Sequence, residues 1–336
     1  MARTYLITGG TGFIGSALVR RLVGEGHVVR ILDDNSRGAK RRLADISGDV
    51  EFVLADVRDF AALCLAVRGS DSVIHLSAVN GTENFYNHPE LVLDVGVRGT
   101  LTVIDACRAE GVRELVFASS SEVYQTPPLI PTDETVSLSV PDVTNPRYSY
   151  GGSKIIGELM VLNYGHTGFE RVTIFRPHNV YGPDMGWEHV LPQFALRAGE
   201  AVLKQAHGPV SFAIQGDGRQ TRAFVHIDDF TDGLLRVIEG GKHREIYNIG
   251  NPEEVAIGEI ARLVIGFFGR EVELQPTAEP QGATPRRCPD ITKLQTLGYM
   301  PRISLAKGLP SLIDWYRENG HLRPTAGPGP KSLSEK

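Results

Sequence analysis

The chain reads as an α/β protein, a doubly wound parallel sheet carrying a smaller α/β lobe. Three observations predict this. Short β-branched or apolar runs alternate with helically spaced segments through the first half of the chain, the pattern of a parallel sheet covered on both faces. A set of glycines separates the first run from the first helical segment. A carboxylate, Asp33, closes the second run.

Taken in order, the runs are residues 5–8, 28–32, 50–54, 72–76, 115–118 and 172–175, with helical spacing at 17–22, 60–67 and 101–107 between them. After Arg176 the rhythm breaks. Glycine, proline and polar residues become frequent, and strand-like stretches at 212–214, 222–226 and 246–249 alternate with helical ones at 228–238 and 258–268. We therefore expect a dinucleotide-binding domain over 1–175 that also receives part of 223–249, and a substrate-binding lobe over most of 176–321. A flexible tail is expected over 322–336, which holds three prolines and no hydrophobic period.

Composition narrows the class of function. With 336 residues, 41% hydrophobic and 22% charged, the chain has material for a sizeable core. A formal net charge of −5 offers no reason to expect nucleic acid as a partner. Cys64, Cys107 and Cys288 lie far apart and cannot form a complete disulfide set, so a reduced, cytoplasmic protein is expected. The first residues run straight into a strand pattern, and no apolar stretch reaches the roughly 18 residues of a membrane span. The ten histidines form no ligand spacing, so no metal is expected.

Gly9, Gly12 and Gly15 stand in GGTGFIG, with Phe13 and Ile14 opening the helical segment. Glycines here let the turn tighten and let backbone N–H groups approach a pyrophosphate at a helix N-terminus. Asp33, about 20 residues further on, suits the adenosine ribose hydroxyls and would repel a 2′-phosphate, which points to NAD. Arg37 is read as a solvated loop charge. Asp56, followed by Val57 in LADV, has two readings of equal weight: a contact with the adenine edge, or the N-cap of segment 58–67.

Tyr150 and Lys154 are four apart in YGGSK and so emerge from one helical face. A free phenol titrates near 10, so a tyrosine acting as a base near neutrality needs a cation beside it, and Lys154 can supply one.

TGGTGFIG, HLSA, SSSEVY, YGGSK, RPHNVYGP and QTRAFVHIDD together resemble the extended short-chain dehydrogenase/reductase family, whose members modify nucleotide-linked sugars on a Rossmann-type sheet. The resemblance spans about the first 320 residues. It implies that Leu76, Ser77, Ala78 and Pro177 join the cofactor site. It also implies that Ser120 bonds the substrate C4 hydroxyl, that Tyr150 is the base and that Lys154 is its partner. Ser121, Asn179, Arg222 and Arg287 are implied on the substrate side, the arginines at the diphosphate. Trp187 and Glu188 lie in the segment implied beside the sugar or nucleotide; direct contact and an ordinary lobe surface are weighed evenly. His226 and Asp228 are assigned to a structural joint.

The implied reaction begins with oxidation at C4 to a 4-keto sugar, and its ending is open. Glu122 resembles the carboxylate that dehydratases and sugar-acid decarboxylases carry; in the dehydratase case it could act as a C5 base, but Ser121 stands where the dehydratases have aspartate. The expectation is therefore an NAD-dependent epimerase inverting C4, with dehydration or decarboxylation as the alternative. A non-catalytic NAD(P)-sensing regulator is the alternative of another class. Gly96 departs from the family's usual asparagine. A homodimer through segments 89–108 and 150–164 is implied by resemblance.

Overall fold

The computed structural model describes residues 1–278 and 286–323. The first half alternates β1 (Thr4–Thr8), α1 (Phe13–Gly24), β2 (Val28–Asp33), β3 (Val50–Leu54), α2 (Phe60–Val67) and β4 (Ser72–His75). Helices α3 (Thr82–Asn87), α4 (Pro89–Leu93) and α5 (Thr100–Ala109) lead to β5 (Glu114–Ala118), then α6 (Ser149–Tyr164) and β6 (Arg171–Pro177). The second half holds β7 (Val180–Tyr181), α7 (Val190–Lys204), β8 (Val210–Gln215), β9 (Thr221–Ala223), β10 (Val225–His226) and α8 (Ile227–Gly240). It continues through β11 (Glu245–Ile249), β12 (Glu254–Ala256), α9 (Ile257–Phe267), β13 (Val272–Thr277), β14 (Arg286–Arg287), α10 (Thr292–Gln295) and α11 (Leu305–Glu318).

Seven parallel strands form the central sheet in the order β11-β6-β5-β4-β1-β2-β3. Its strands read as near-continuous apolar runs because both faces are buried. Side chains alternate between the faces. Tyr5, Ile7 and Ile31 pack with Leu18, Leu22, Phe230 and Leu234 of α1 and α8. Leu6, Leu32, Val73 and Leu115 pack with Leu63, Val103, Ile104 and Val161 of α2, α5 and α6. The order steps away in both directions from the β1/β4 pair, so the strand ends there leave a crevice.

The second half packs α7, α9 and α11 around Phe194, Phe212, Ile260, Val264, Leu309 and Leu312. The β8 side chains alternate strictly, with Val210, Phe212 and Ile214 inward. Seven elements here, β7, α7, β12, β13, β14, α10 and α11, had no counterpart among the sequence expectations. The expected strand 222–226 is two strands: β9 pairs antiparallel with β12, and β10 pairs parallel with β7. It breaks because its halves have different partners. The expected tail lies outside the described residues from 324 onward.

The helical run 89–109 is interrupted by a π-turn over Asp94–Gly99. Gly96 sits in it, and a Cβ there would lie 2.7 Å from Ser153 Oγ. Ser153 of α6 therefore fills the space that an asparagine would have taken. Among the described residues, no helix is long and apolar enough to cross a membrane, and no group of three or more His, Cys, Asp or Glu could hold a metal ion.

Candidate active site

A cleft of ≈ 640 Å³ opens along the C-terminal ends of the central strands. Its floor is the β1–α1 turn. Gly12 N–H donates to Gly9 O at 3.1 Å, and a Cβ on Gly15 would fall 2.2 Å from that same oxygen. Any side chain at 15 would thus force the turn open. No side chain caps α1 and its first turn carries no acid, so its leading N–H groups face the cleft with a positive helix end behind them. Asp33 is buried, accepting Thr11 N–H at 2.9 Å and Asn35 N–H at 2.8 Å. A compact amide cradle next to a fixed carboxylate fits a pyrophosphate with a ribose diol, and so fits NAD.

Gly9, Gly12, Phe13, Ile14, Gly15, Asp33, Asp56, Val57, Leu76, Ser77, Ala78 and Pro177 all line the cleft. One expectation needs correction here. Asp56 does not cap α2; Asp59 does, accepting Ala62 N–H at 3.0 Å, while Asp56 accepts from Arg58 N–H and Nε. Arg37 is an exposed loop charge, as expected, and it also reaches across to Glu188 at 3.1 Å. Sequence reasoning also missed its neighbours. Arg41 and Arg42 both bind Asp184, and Arg42 donates as well to Thr11 O at 3.0 Å. Residues 36–42 are thereby tied across the cleft to 184–188. Only the fold brings together groups about 145 positions apart.

Toward the other end, Ser120, Ser121, Glu122, Tyr150, Lys154, Asn179, Arg222 and Arg287 line the same cleft. Helix α6 presents Tyr150 and Lys154 one turn apart, both buried. The Tyr150 ring stacks on Phe85 with centroids 5.2 Å apart. Burial pushes its phenol up to about 12, against the pull of the Ser120 hydroxyl. Burial lowers Lys154 to about 8, opposed by the charge of Glu158. Its ammonium donates to Ala118 O at 2.8 Å and lies 5.7 Å from the Tyr150 ring centre. Ser120 caps the turn Ser121–Tyr124, accepting Glu122 N–H at 3.1 Å.

Glu122 is bound by Arg287 and lies 4.0 Å from Arg147. Burial alone would raise its pKa, but the charges of Arg287, Arg147 and Arg222 hold it below the usual carboxylate range. One end of Arg287 is therefore engaged by Glu122. Arg222 donates to Thr221 O at 2.7 Å, and Asn179 to Ala223 O at 2.9 Å. Arg147, absent from the sequence expectations, stands three residues before Tyr150 on a turn capped by Asn145. Trp187 is a correction: it is 9% exposed and packs in the lobe core, its ring 4.8 Å from Tyr316 and 5.6 Å from Trp315. Its neighbours Gly186 and Glu188 face the cleft instead. His226 and Asp228 form the β10–α8 joint, the imidazole accepting Asp228 N–H at 3.3 Å.

Residues 5–250 match the model of the NAD dependent epimerase/dehydratase family. The chain is 31% identical to a UDP-N-acetyl-α-D-glucosaminuronate decarboxylase of Bacillus cytotoxicus, covering 95% of this chain and 99% of that one. It is 33% identical to a UDP-glucose 4-epimerase of Mycolicibacterium smegmatis, covering 93% and 98%. Among solved structures, a dTDP-glucose 4,6-dehydratase of Streptomyces venezuelae with NAD bound superimposes with a TM-score of 0.83 at 30% identity, over 95% of this chain and 98% of that one. The chain belongs to the NAD dependent epimerase/dehydratase family and is an NAD-dependent enzyme built on its Rossmann-type fold.

Proposed function

We propose that the protein is a nucleotide-sugar epimerase that inverts C4 through a transient 4-keto sugar. The cofactor would be held by the Gly9–Gly15 turn, Asp33 and Lys154. NAD held there would supply reversible hydride transfer at the sugar C4. Tyr150 takes the C4 hydroxyl proton as the carbonyl forms and gives it back when the hydroxyl is restored. The buried Lys154 ammonium favours the phenolate. Ser120 orients the hydroxyl, and Arg222 with Arg287 faces the diphosphate.

The observation that carries this reading is the state of Glu122. A carboxylate paired with Arg287 and depressed by three arginines is a poor acceptor for a C5 proton. That disfavours dehydration and leaves the ending that needs no second base. Decarboxylation needs none either, because a C4 ketone makes a C6 carboxylate labile. One observation favours this second reading: Arg147, Arg222 and Arg287 cluster at the end of the cleft that holds Tyr150, enough positive charge for an acidic sugar as well as a diphosphate.

Incubation with UDP-, GDP-, CDP-, ADP- and dTDP-sugars in heavy water, read by mass and proton NMR, separates the outcomes. The epimerase reading predicts a C4-inverted product of unchanged mass without deuterium at C5. Loss of carbon dioxide, with one deuteron taken up at C5 from the solvent, selects decarboxylation. Deuterium at C5 with loss of water would overturn both.

A homodimer is proposed through α4, α5 and α6, supported by Leu93, Ile156 and Leu159, all exposed on α4 and α6.

A further inference from the structure

We propose that Glu158 is a positioning residue for the Tyr150/Lys154 couple. Fixed by Arg176 and Ser119, its carboxylate keeps Lys154 an ammonium and so sets the alkaline edge of the pH–rate profile. The proposal rests on the reading of Lys154 given above.

Helix α6 places Tyr150, Lys154 and Glu158 at i, i+4 and i+8, along one stripe. All three are buried, at 8%, 3% and 3% exposure. Burying a carboxylate is costly unless it is paired and hydrogen-bonded. Here it is both. Glu158 accepts Arg176 Nε at 2.8 Å on Oε1 and Nη2 at 2.6 Å on Oε2, and Ser119 Oγ donates to Oε1. Arg176 is itself anchored, donating to Tyr124 OH at 2.6 Å and Glu134 O at 3.2 Å. Tyr124 in turn donates to Asn248 of β11 at 2.9 Å. The carboxylate is thus fixed from β5, β6 and, through Tyr124, β11.

The end of β5 addresses the stripe residue by residue. Ala118 O accepts from Lys154, Ser119 donates to Glu158, and the Ser120 hydroxyl faces the Tyr150 phenol closely enough to draw its pKa down. A shift of Glu158 would therefore disturb the segment that presents Ser120. The titratable groups facing Lys154 are Tyr150 and Glu158 on α6 and His75 on β4, with Arg176 of β6 behind Glu158 and Glu122 on the Tyr150 side. Burial keeps His75 neutral, its pKa pushed down to about 3. Glu158 is the charge that opposes desolvation of the ammonium. Without it, burial and the uncompensated Arg176 would both drive off the proton.

The test is kcat against pH for Glu158→Gln and for the double variant E158M/R176M. The double variant removes the Glu158–Arg176 ion pair as a unit, and such replacements often keep the fold. The expected result is an alkaline edge about one pH unit lower, so that the loss relative to wild type grows from pH 6.5 to about tenfold at pH 9. A purely structural role would give the same factor at every pH. A folded E158M/R176M with the wild-type edge overturns the proposal. Lys154→Met separates the two readings. If it is inactive while E158M/R176M keeps the wild-type profile, only this proposal falls; if Lys154→Met turns over like wild type, both fall.

Discussion

At Tyr150, burial and chemistry pull in opposite directions: the pocket raises the phenol to about 12, while a base is wanted near neutrality. Ser120 and Arg37 pull the phenol back down, and a buried cation, Lys154, stands one turn away. Tyr150→Phe keeps the stack on Phe85 and removes only the oxygen, so kcat is expected to fall by about 10²- to 10⁴-fold with the melting temperature nearly unchanged. Steady-state kinetics beside a thermal melt checks this. Lys154 supplies a pH prediction. Its pKa is lowered to about 8, so its ammonium is present below that pH and lost above it, and kcat should decline as pH rises through about 8. A profile flat to pH 10 would contradict that. The residues that line the cleft were legible in the sequence because glycines at a strand–helix turn, Asp33 at a strand end and Tyr150/Lys154 four apart form recognisable patterns of type and spacing. The burial of Trp187 and the partner of Arg37 were hidden for the opposite reason. Whether an indole lies in a core, and which carboxylate an arginine meets, depends on residues more than a hundred positions away.

Elements show the same division. The runs of the central sheet are visible because its inner strands are buried on both faces and punctuated by turns. Helix α11 escaped notice because Pro310 interrupts its pattern, yet Leu309, Leu312 and Ile313 fill the lobe core. Leu312→Ala, fully buried, is expected to cost about 2–5 kcal/mol, measured by denaturant unfolding. The contact between residues 36–42 and Asp184 also belongs to this scale. Arg42 joins the cofactor-side turn, through Thr11 O, to the lobe, through Asp184. Asp184→Asn removes a charge-assisted pair that bridges the cleft, so the dissociation of NAD is expected to quicken by about tenfold, equivalent to 1.4 kcal/mol. Stopped-flow release of NAD measures it, and an unchanged rate would show that the bridge does not retain the cofactor.

For the whole molecule, one cleft joins a cofactor half whose residue types follow from its chemistry to a substrate half whose shape follows from packing. This is why the start of the reaction is readable from sequence while its ending waits on Glu122, Arg147 and Arg287, which only the fold brings together. The exposed apolar face of α4 and α6 makes a further prediction at this scale: Ile156→Glu should shift a dimer to monomer in sedimentation. The central claim, that a hydride leaves C4 of a sugar and returns to it within one site, is tested most directly with a nucleotide sugar deuterated at C4. The account predicts that the deuterium stays at C4 of the inverted product in ordinary water. Deuterium found at C6 or lost to solvent would contradict it.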